Sequence, residues 1–216
     1  MQNYFEFLAD RYPDIWHATQ EHLLISGISV ALGCLVAIPV GIYISGNCPK
    51  WVRSILFSVA NIFQTIPSLA LLALLIPLLG IGLRPAVFAL FLYSLLPILR
   101  NTYTGFQSID IALLEAARGM GYSKWQQLWR IRLPLALPFI MSGIRVTTVY
   151  IISWATLATL IGAGGLGELI FSGLGVNRQE LVLTGAIMAI LLALLADFLL
   201  GAIERAFSKS THRKAA

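Results

Sequence analysis

The glycine-rich segment at 162–167 is the first stretch whose residue types could carry chemistry. It reads Gly-Ala-Gly-Gly-Leu-Gly, a GxGxxG pattern that holds the phosphates of a dinucleotide when it joins a strand to a helix. Here the pattern follows a long apolar run instead of a strand. We therefore interpret it as a flexible or re-entrant turn; if the apolar run crosses a membrane, Gly164 and Gly165 would belong to an outer gate.

Other patterns typical of enzymes and metal sites do not occur in the sequence. There is no GxxxxGK[ST] phosphate loop, no HExxH, no Ser/His/Asp grouping and no cysteine cluster. Cys34 and Cys48 form no metal pattern, and His17 and His22 are expected to be interfacial side chains. The sequence predicts a chain that is not an enzyme and binds no metal or cofactor, so any use of ATP requires a partner.

Two ionisable residues lie inside predicted apolar spans. Arg145 is 11 residues beyond Pro134, and Asp197 is 8 residues before Arg205. Their depths are therefore about 16 and 12 Å at the usual helical rise. Charges inside a membrane are costly and are usually paired or functional. We hypothesise that Arg145 and Asp197 form an intramembrane charge pair; the alternative is that Arg145 extends alone to the inner interface.

A polar break interrupts one apolar run at membrane depth. The segment 64–68 places Gln64, Pro67 and Ser68 there. Irregular helix is tolerated in a membrane where it lines a cavity, so we assign these residues to a translocation path or gate. Packing of small polar residues between helices is the competing interpretation. Three aromatic residues could add weak contacts along such a path, namely Tyr93, Tyr150 and Trp154. Packing in the protein core explains these residues equally well.

The longest polar segment of the chain runs from 115 to 134 and reads EAARGMGYSKWQQLWRIRLP. Asp110 can cap a helix that starts at Ile111, because its carboxylate can accept the free N–H groups of the first turn. We expect Gly119 and Gly121 to stop that helix, since glycine adopts left-handed backbone angles at little cost.

A second helix is predicted directly after this turn. Ser123 followed by Gln126 is a capping-box pattern, which predicts a helix at 124–132 that Pro134 ends. Two short helices and a tight turn would then form a polar knob on the membrane surface. We name residues 106–133 the docking loop.

The apolar composition predicts an all-α membrane protein. Of 216 residues, 58% are hydrophobic and only 12% are charged, against about 25% in an ordinary soluble domain. About 20 residues per crossing allow about five transmembrane helices in a single domain, 1–216, with its core at about 20–204. Residues 1–20 are expected to form an amphipathic lead-in. The predicted spans are 23–45, 54–83 (with Pro67 and Pro77 as kinks), 86–105, 134–160 and 181–203.

The distribution of positive charge predicts the orientation. Eleven of the fifteen Lys and Arg residues fall in the turn at 46–53, the loop at 100–133 and the tail. The positive-inside rule places these segments in the cytoplasm, with the N-terminus outside and the C-terminus inside. Topology thus accounts for the net charge of +5, and no nucleic-acid partner is expected.

The polar segment also carries a fixed spacing: Glu-Ala-Ala, three residues, Gly, nine residues, then Ile, any residue and Leu-Pro. This spacing resembles the "EAA" loop of ABC-importer permeases, which docks on the ATP-hydrolysing subunit. The resemblance implies ATPase docking by the motif residues and the glycine between them, namely Glu115, Ala116, Ala117, Gly119, Gly121, Ile131, Leu133 and Pro134.

Three further stretches, at 64–82, 99–110 and 157–174, resemble the permease subunits of osmoprotectant importers. With the docking loop they cover roughly half of the chain. One departure is Ile111, where the family pattern has proline at the helix start; it costs some pre-organisation and puts no function in doubt.

The resemblance implies a type I ABC-importer permease in the cytoplasmic membrane, translocating glycine betaine, carnitine, choline or similar solutes. It implies a second permease subunit, identical or paralogous, two ATPase subunits that carry ATP and Mg, an extracellular substrate-binding protein and a lipid bilayer around the complex. Two alternatives stay open. One is a permease of the same class for an amino acid such as methionine, and the other is a membrane scaffold that transports nothing.

Overall fold

The computed structural model describes residues 4–46 and 48–215. Residues 1–3, 47 and 216, which belong to the predicted lead-in, basic turn and tail, lie outside the described residues. The helices are α1 (Tyr4–Asp10), α2 (Tyr12–Ser45), α3 (Lys50–Thr65), α4 (Ser68–Leu79), α5 (Leu83–Gln107), α6 (Ile111–Gly119), α7 (Lys124–Gln127), α8 (Leu133–Ala158), α9 (Leu166–Gly175) and α10 (Gln179–Ala215). A π-helical turn (Leu128–Arg132) joins α7 to α8, and a 3-10 turn (Thr159–Ile161) follows α8.

The count of membrane crossings agrees with the prediction from composition. In the described ranges, four helical stretches are long and apolar enough to cross a membrane, and the bent pair α3–α4 supplies a fifth if it counts as one crossing. The four stretches are Tyr12–Ser45, Leu83–Gln107, Lys124–Ile161 and Gln179–Ala206. The prediction of an all-α protein with about five spans is confirmed, and the chain is a multi-pass membrane protein.

The predicted lead-in at 1–20 is not a separate element. Only α1 stands apart, and α2 runs from Tyr12 through the predicted start of the first span to Ser45. The change from polar to apolar sequence near residue 23 marks where a membrane begins, and nothing there stops a helix. Tyr12 and Trp16 remain more than half exposed, as interfacial aromatic side chains would be.

The break in the second predicted span lies at Pro67. Proline disfavours helical angles in the residue before it, and Ile66 is extended, with φ −71° and ψ 128°. The axes of α3 and α4 consequently differ by 100°. Pro77, the other predicted kink, lies inside α4 and does not end it.

Small residues allow α2 and α5 to pack closely along their length. A Cβ added to Gly33 would overlap the side chain of Ser94, and one added to Gly41 would lie 2.7 Å from the side chain of Thr102. Such close approach is the usual way membrane helices associate. The buried small residues at every fourth position of α2 are Ser29, Gly33, Ala37, Gly41 and Ser45.

The last long helix, α10, packs on α8 and α9 and leaves a broad apolar face uncovered. Large apolar side chains on that face, more than half exposed, suit lipid or a second membrane protein. They are Leu191, Leu194, Leu195, Phe198 and Leu199.

Candidate functional site

The first helix of the docking loop is capped as its sequence predicts. The carboxylate of Asp110 accepts a hydrogen bond from the backbone N–H of Ala112 at 2.9 Å, and α6 begins at Ile111. Ala116 is exposed, together with Glu115, whereas Ala117 is fully buried. The first two can therefore meet a partner, while Ala117 supports the loop from within.

The turn after α6 requires glycine at one position. Gly121 has φ +83°, the N–H of Gly121 donates to the carbonyl of Arg118 at 2.9 Å, and that of Tyr122 donates to the carbonyl of Ala117 at 3.0 Å. This pair of bonds is the Schellman arrangement, with Gly121 as its left-handed residue. The expectation for Gly119 was wrong: it is the last residue of α6 and its φ lies outside the left-handed region.

The second helix of the docking loop begins with the predicted capping box. The N–H of Ser123 donates to Gln126 Oε1 at 2.8 Å, and the N–H of Gln126 donates to Ser123 Oγ at 3.2 Å. The buried amide of Gln127 then donates to the carbonyl of Tyr122 at 3.0 Å. These hydrogen bonds join the turn to the first residues of α7 through both Gln126 and Gln127.

The predicted end of this helix at Pro134 is wrong. The π-helical turn Leu128–Arg132 continues directly into α8, and the N–H of Leu133 bonds to the carbonyl of Leu128. Proline lacks an N–H and crowds the carbonyl four residues earlier, and the wider π turn accommodates both effects. Ile131, Leu133 and Pro134 lie half-buried along this joint. The docking loop is therefore continuous with the helix Lys124–Ile161.

The docking loop exposes five large apolar side chains around its polar motif, and we call this set the apolar patch. Several large apolar side chains exposed on one short polar segment are typical of a surface that contacts another protein, and not of a solvated loop. A cation–π contact also fixes the end of the docking loop to α5, because the guanidinium of Arg132 lies over the ring of Phe106 at 5.1 Å from the centroid. The patch comprises Ile111, Leu113, Met120, Trp125 and Trp129.

The structure brings Arg145 of α8 and Asp197 of α10 together. Arg145 Nε donates to Asp197 Oδ1 at 2.7 Å, and Nη2 donates to Oδ2 at 2.8 Å. Nη1 also donates to Glu204 Oε2 at 3.2 Å. Gly201 gives room for this network, because an added Cβ would lie 2.9 Å from Arg145 Cζ. We did not identify Glu204 from the sequence, although its i,i+7 spacing from Asp197 places both on one helix face.

The predicted path residues gather where α3 breaks. The amide of Gln64 donates to the carbonyl of Tyr93 at 2.7 Å, and the hydroxyl of Tyr93 donates to the carbonyl of Ile66 at 2.7 Å. Gln64, Tyr93, Tyr150 and Trp154 all line one open cavity of about 180 Å³. Pro67 and Ser68 form the start of α4 and are not part of the lining.

The glycine-rich segment is held by two side chains of α2. Gly164 and Gly165 have φ +77° and +87°, and the N–H of Gly165 donates to the carboxylate of Glu21 at 2.9 Å. A Cβ on Gly164 would collide with that carboxylate. The predicted connection at 161–180 also contains a helix, α9, which glycine content alone did not indicate.

His22 is fully buried, so the expectation of an interfacial side chain was wrong. Its Nδ1 accepts from the N–H of Leu166 at 3.3 Å, which leaves the proton on Nε2 to donate to the carbonyl of Ile152 at 2.8 Å. One neutral imidazole thereby satisfies backbone groups at the start of α9 and in α8. Neither Glu21 nor His22 belongs to a recognisable motif.

Known proteins similar to this chain are membrane components of transport systems. Residues 37–209 match the family model described as "Binding-protein-dependent transport system inner membrane component". The chain is 46% identical, over 95% of its length and 94% of the relative's, to the glycine betaine/carnitine/choline transport system permease protein OpuCB of Bacillus subtilis. It is 48% identical, over 91% of its length and 89% of the relative's, to the carnitine transport permease protein OpuCB of Listeria monocytogenes.

Among solved structures, the fold is similar to a chain of the MetNI methionine ABC transporter in an inward facing conformation. The TM-score is 0.80 at 25% sequence identity, and the match covers 90% of this chain and 98% of the other.

Proposed function

Because the chain belongs to the family of binding-protein-dependent transport system inner membrane components, we propose that it is the permease subunit of an ATP-driven osmoprotectant importer. The relatives at 46% and 48% identity are named for glycine betaine, carnitine and choline, and their similarity extends over nearly the whole chain. Similarity to the methionine transporter is lower, at 25% identity, so an amino-acid substrate is less well supported. The shared architecture is that of a type I ABC-importer permease.

The observation that carries the proposal is the docking loop itself. An exposed Glu115 and Ala116 stand beside an apolar patch, on a turn fixed by backbone geometry at Gly121. The same loop continues through the π turn into the helix Lys124–Ile161, which is long enough to cross a membrane. A force applied to the loop is therefore delivered to a transmembrane helix, which is what an ATP-driven partner requires of its permease.

The proposed assembly contains two permease subunits, two ATPase subunits and an extracellular substrate-binding protein. ATP and Mg belong to the ATPase, which the docking loop contacts from the cytoplasm. The chain would lie in the cytoplasmic membrane with its N-terminus outside and its C-terminus inside, as the distribution of Lys and Arg favours. The uncovered face of α10 supplies apolar surface for lipid or for the second permease subunit.

In this mechanism ATP closes the ATPase pair and draws the two docking loops together. The helix Lys124–Ile161 of each subunit moves with its docking loop, a domain motion of the kind that opens and closes transporters. The ion pair between Arg145 and Asp197 makes α10 move with α8. The break at Pro67 and the turn at Gly164 and Gly165 are the proposed elements that rearrange along the path.

Uptake in cells tests this function. Cells lacking the gene and other osmoprotectant carriers would receive the wild-type gene, and uptake of radiolabelled glycine betaine, carnitine and choline would be measured at high salt. The proposal predicts restored uptake of at least one of these solutes and no change in methionine uptake. Restored methionine uptake alone would move the substrate to the amino-acid class, and no ATP-dependent uptake of any solute would favour a scaffold.

A further inference from the structure

The cavity beside the break in α3 has walls made largely of aromatic rings. The rings of Tyr93 and Trp154 meet edge to face at 4.5 Å between centroids, and Tyr150 stacks on Trp154 at 6.3 Å. Tyr93 is buried, Trp154 is half-buried, and Tyr150 is 54% exposed at the mouth. The cavity therefore opens outward from the bundle, with aromatic surface both inside and at its entrance.

Three of the polar groups of this wall are already engaged with the protein. The Gln64 amide donates to Tyr93, the Tyr93 hydroxyl donates to Ile66, and the Thr147 hydroxyl donates to Gly143 at 2.7 Å. None of the lining residues that the structure describes carries a charge. What the cavity offers a ligand is mainly aromatic surface, and the polar groups left to it are the Gln64 side-chain oxygen, the Tyr150 hydroxyl and the Trp154 indole N–H.

This combination selects against most small solutes. A sugar, or the primary ammonium of an amino acid, needs hydrogen-bond partners when it leaves water, and unpaired polar groups are costly. A quaternary ammonium carries positive charge but no N–H, and aromatic faces attract it through their quadrupoles. The cavity suits that one chemical class better than the others.

The charge and the size of the cavity agree with such a ligand. Gln64 lies in the last turn of α3, so the negative end of the helix dipole is close to the cavity. Broken membrane helices commonly place such ends beside transported cations. A cavity of about 150 Å³ admits a benzene ring, so one of about 180 Å³ admits a trimethylammonium group, which has fewer heavy atoms.

We propose that the cavity lined by Tyr93, Tyr150 and Trp154 is a transit site in the permease for the quaternary ammonium head of the solute. The proposal rests on the proposed function, because it needs such solutes to enter the permease. Binding there is weak, since no carboxylate faces the cation, and weak binding lets the solute leave. The bond from Tyr93 to Ile66 ties the site to the break, so movement of the break changes the site.

The test measures binding to the purified complex of permease and ATPase without the binding protein. Tetramethylammonium is the probe, neopentyl alcohol is its neutral counterpart of similar shape, and saturation-transfer NMR titrations report the affinity of each. The expected result is measurable binding of tetramethylammonium that weakens about fivefold in Trp154→Leu and in Tyr150→Leu, the scale of one lost cation–aromatic contact. Tyr150→Phe keeps the ring and the affinity.

Two further variants control for a non-specific effect of losing an aromatic ring and for poor assembly of the leucine variant. Tyr43→Leu removes a tyrosine that is 63% exposed and lies outside the cavity, and it should bind the probe as wild type does. Trp154→Phe keeps an aromatic ring that binds cations less well than indole, so its affinity should fall between wild type and Trp154→Leu even where the leucine variant assembles poorly. Equal affinity in all variants, or equal binding of neopentyl alcohol, would overturn the proposal.

The outcomes separate this proposal from the function on which it rests. Wild-type uptake of a quaternary ammonium solute with no ring-dependent probe binding would remove the transit site and keep the osmoprotectant function. Failure of uptake for every such solute would remove the function, and the transit site with it.

Discussion

Gly121 and Gly119 are two residues apart in the docking loop, yet the structure predicts opposite responses to substitution. Gly121 has φ +83°, where a side chain is strained, whereas Gly119 is helical. A Cβ added at either position meets no atom within 4 Å, so neither substitution is opposed by a steric clash within the chain. Within this chain, any difference between the two variants therefore comes from the backbone.

The size of the effect follows from the turn. Left-handed angles cost an ordinary residue about 1–2 kcal/mol, and a β-branched residue more. Two hydrogen bonds, from Gly121 to Arg118 and from Tyr122 to Ala117, hold the turn, and each contributes about 0.5–1.5 kcal/mol. Valine at 121 would cancel most of that gain, alanine would cancel part of it, and asparagine, which tolerates these angles, would cancel little. Alanine at 119 would stabilise α6 by up to about 1 kcal/mol.

The assay is betaine uptake normalised to the amount of each variant in the membrane. We expect a loss of about fivefold or more for Gly121→Val, an intermediate loss for Gly121→Ala, and near-normal uptake for Gly121→Asn and Gly119→Ala. In the purified complex, Gly121→Val should lower uptake more than it lowers the ATPase activity that the binding protein stimulates. Normal uptake by Gly121→Val, or an equal loss in Gly119→Ala, would refute the argument from the backbone.

Three further predictions concern the transmembrane part, each read from the thermal unfolding of the detergent-solubilised chain. His22→Leu leaves two buried backbone groups unpaired and should destabilise the fold by about 2–4 kcal/mol, whereas His17→Leu, at an exposed position, should change it by less than about 0.5 kcal/mol. Gly41→Leu should overpack the contact of α2 with α5 by about 1–3 kcal/mol or prevent folding, while Gly27→Leu, which has open space, should not. Arg145→Met should lower Tm because two carboxylates lose their guanidinium, and Arg145→Lys should recover part of the loss; an unchanged Tm in Arg145→Met would contradict the role of the network.

Features set by local sequence could be predicted from the chain alone. The Asp110 cap, the Ser123 and Gln126 capping box and the left-handed Gly121 depend only on residues a few positions apart. The break at Pro67 is local in the same sense, because proline constrains its own backbone and that of Ile66. The number of spans followed from the length and apolar character of the chain.

Features set by distant residues, or by backbone detail that sequence patterns do not resolve, were missed or misread. The burial of His22 depends on Ile152 and Leu166, more than a hundred residues away, and nothing in its neighbourhood in sequence indicates them. The continuity of the helix through Pro134 depends on a π turn, which single-sequence patterns do not distinguish from a helix end. Gly119 was misread because two closely spaced glycines looked equivalent until their backbone angles were known.

The spacing of the charged residues indicated part of the ion-pair network around Arg145 but not all of it. The depths of Arg145 and Asp197 suggested that the two could meet, and the structure brings them together. Glu204 lay too close to the basic tail to stand out in the sequence.

The most direct test of the central claim is ATP-dependent uptake of radiolabelled glycine betaine into proteoliposomes. The vesicles would contain this chain, its ATPase and the binding protein, all purified, with matched vesicles carrying Gly121→Val. The account predicts accumulation of betaine that requires ATP and falls at least about fivefold in the valine variant. Accumulation of methionine but of no quaternary ammonium solute, or equal betaine uptake by both preparations, would contradict it.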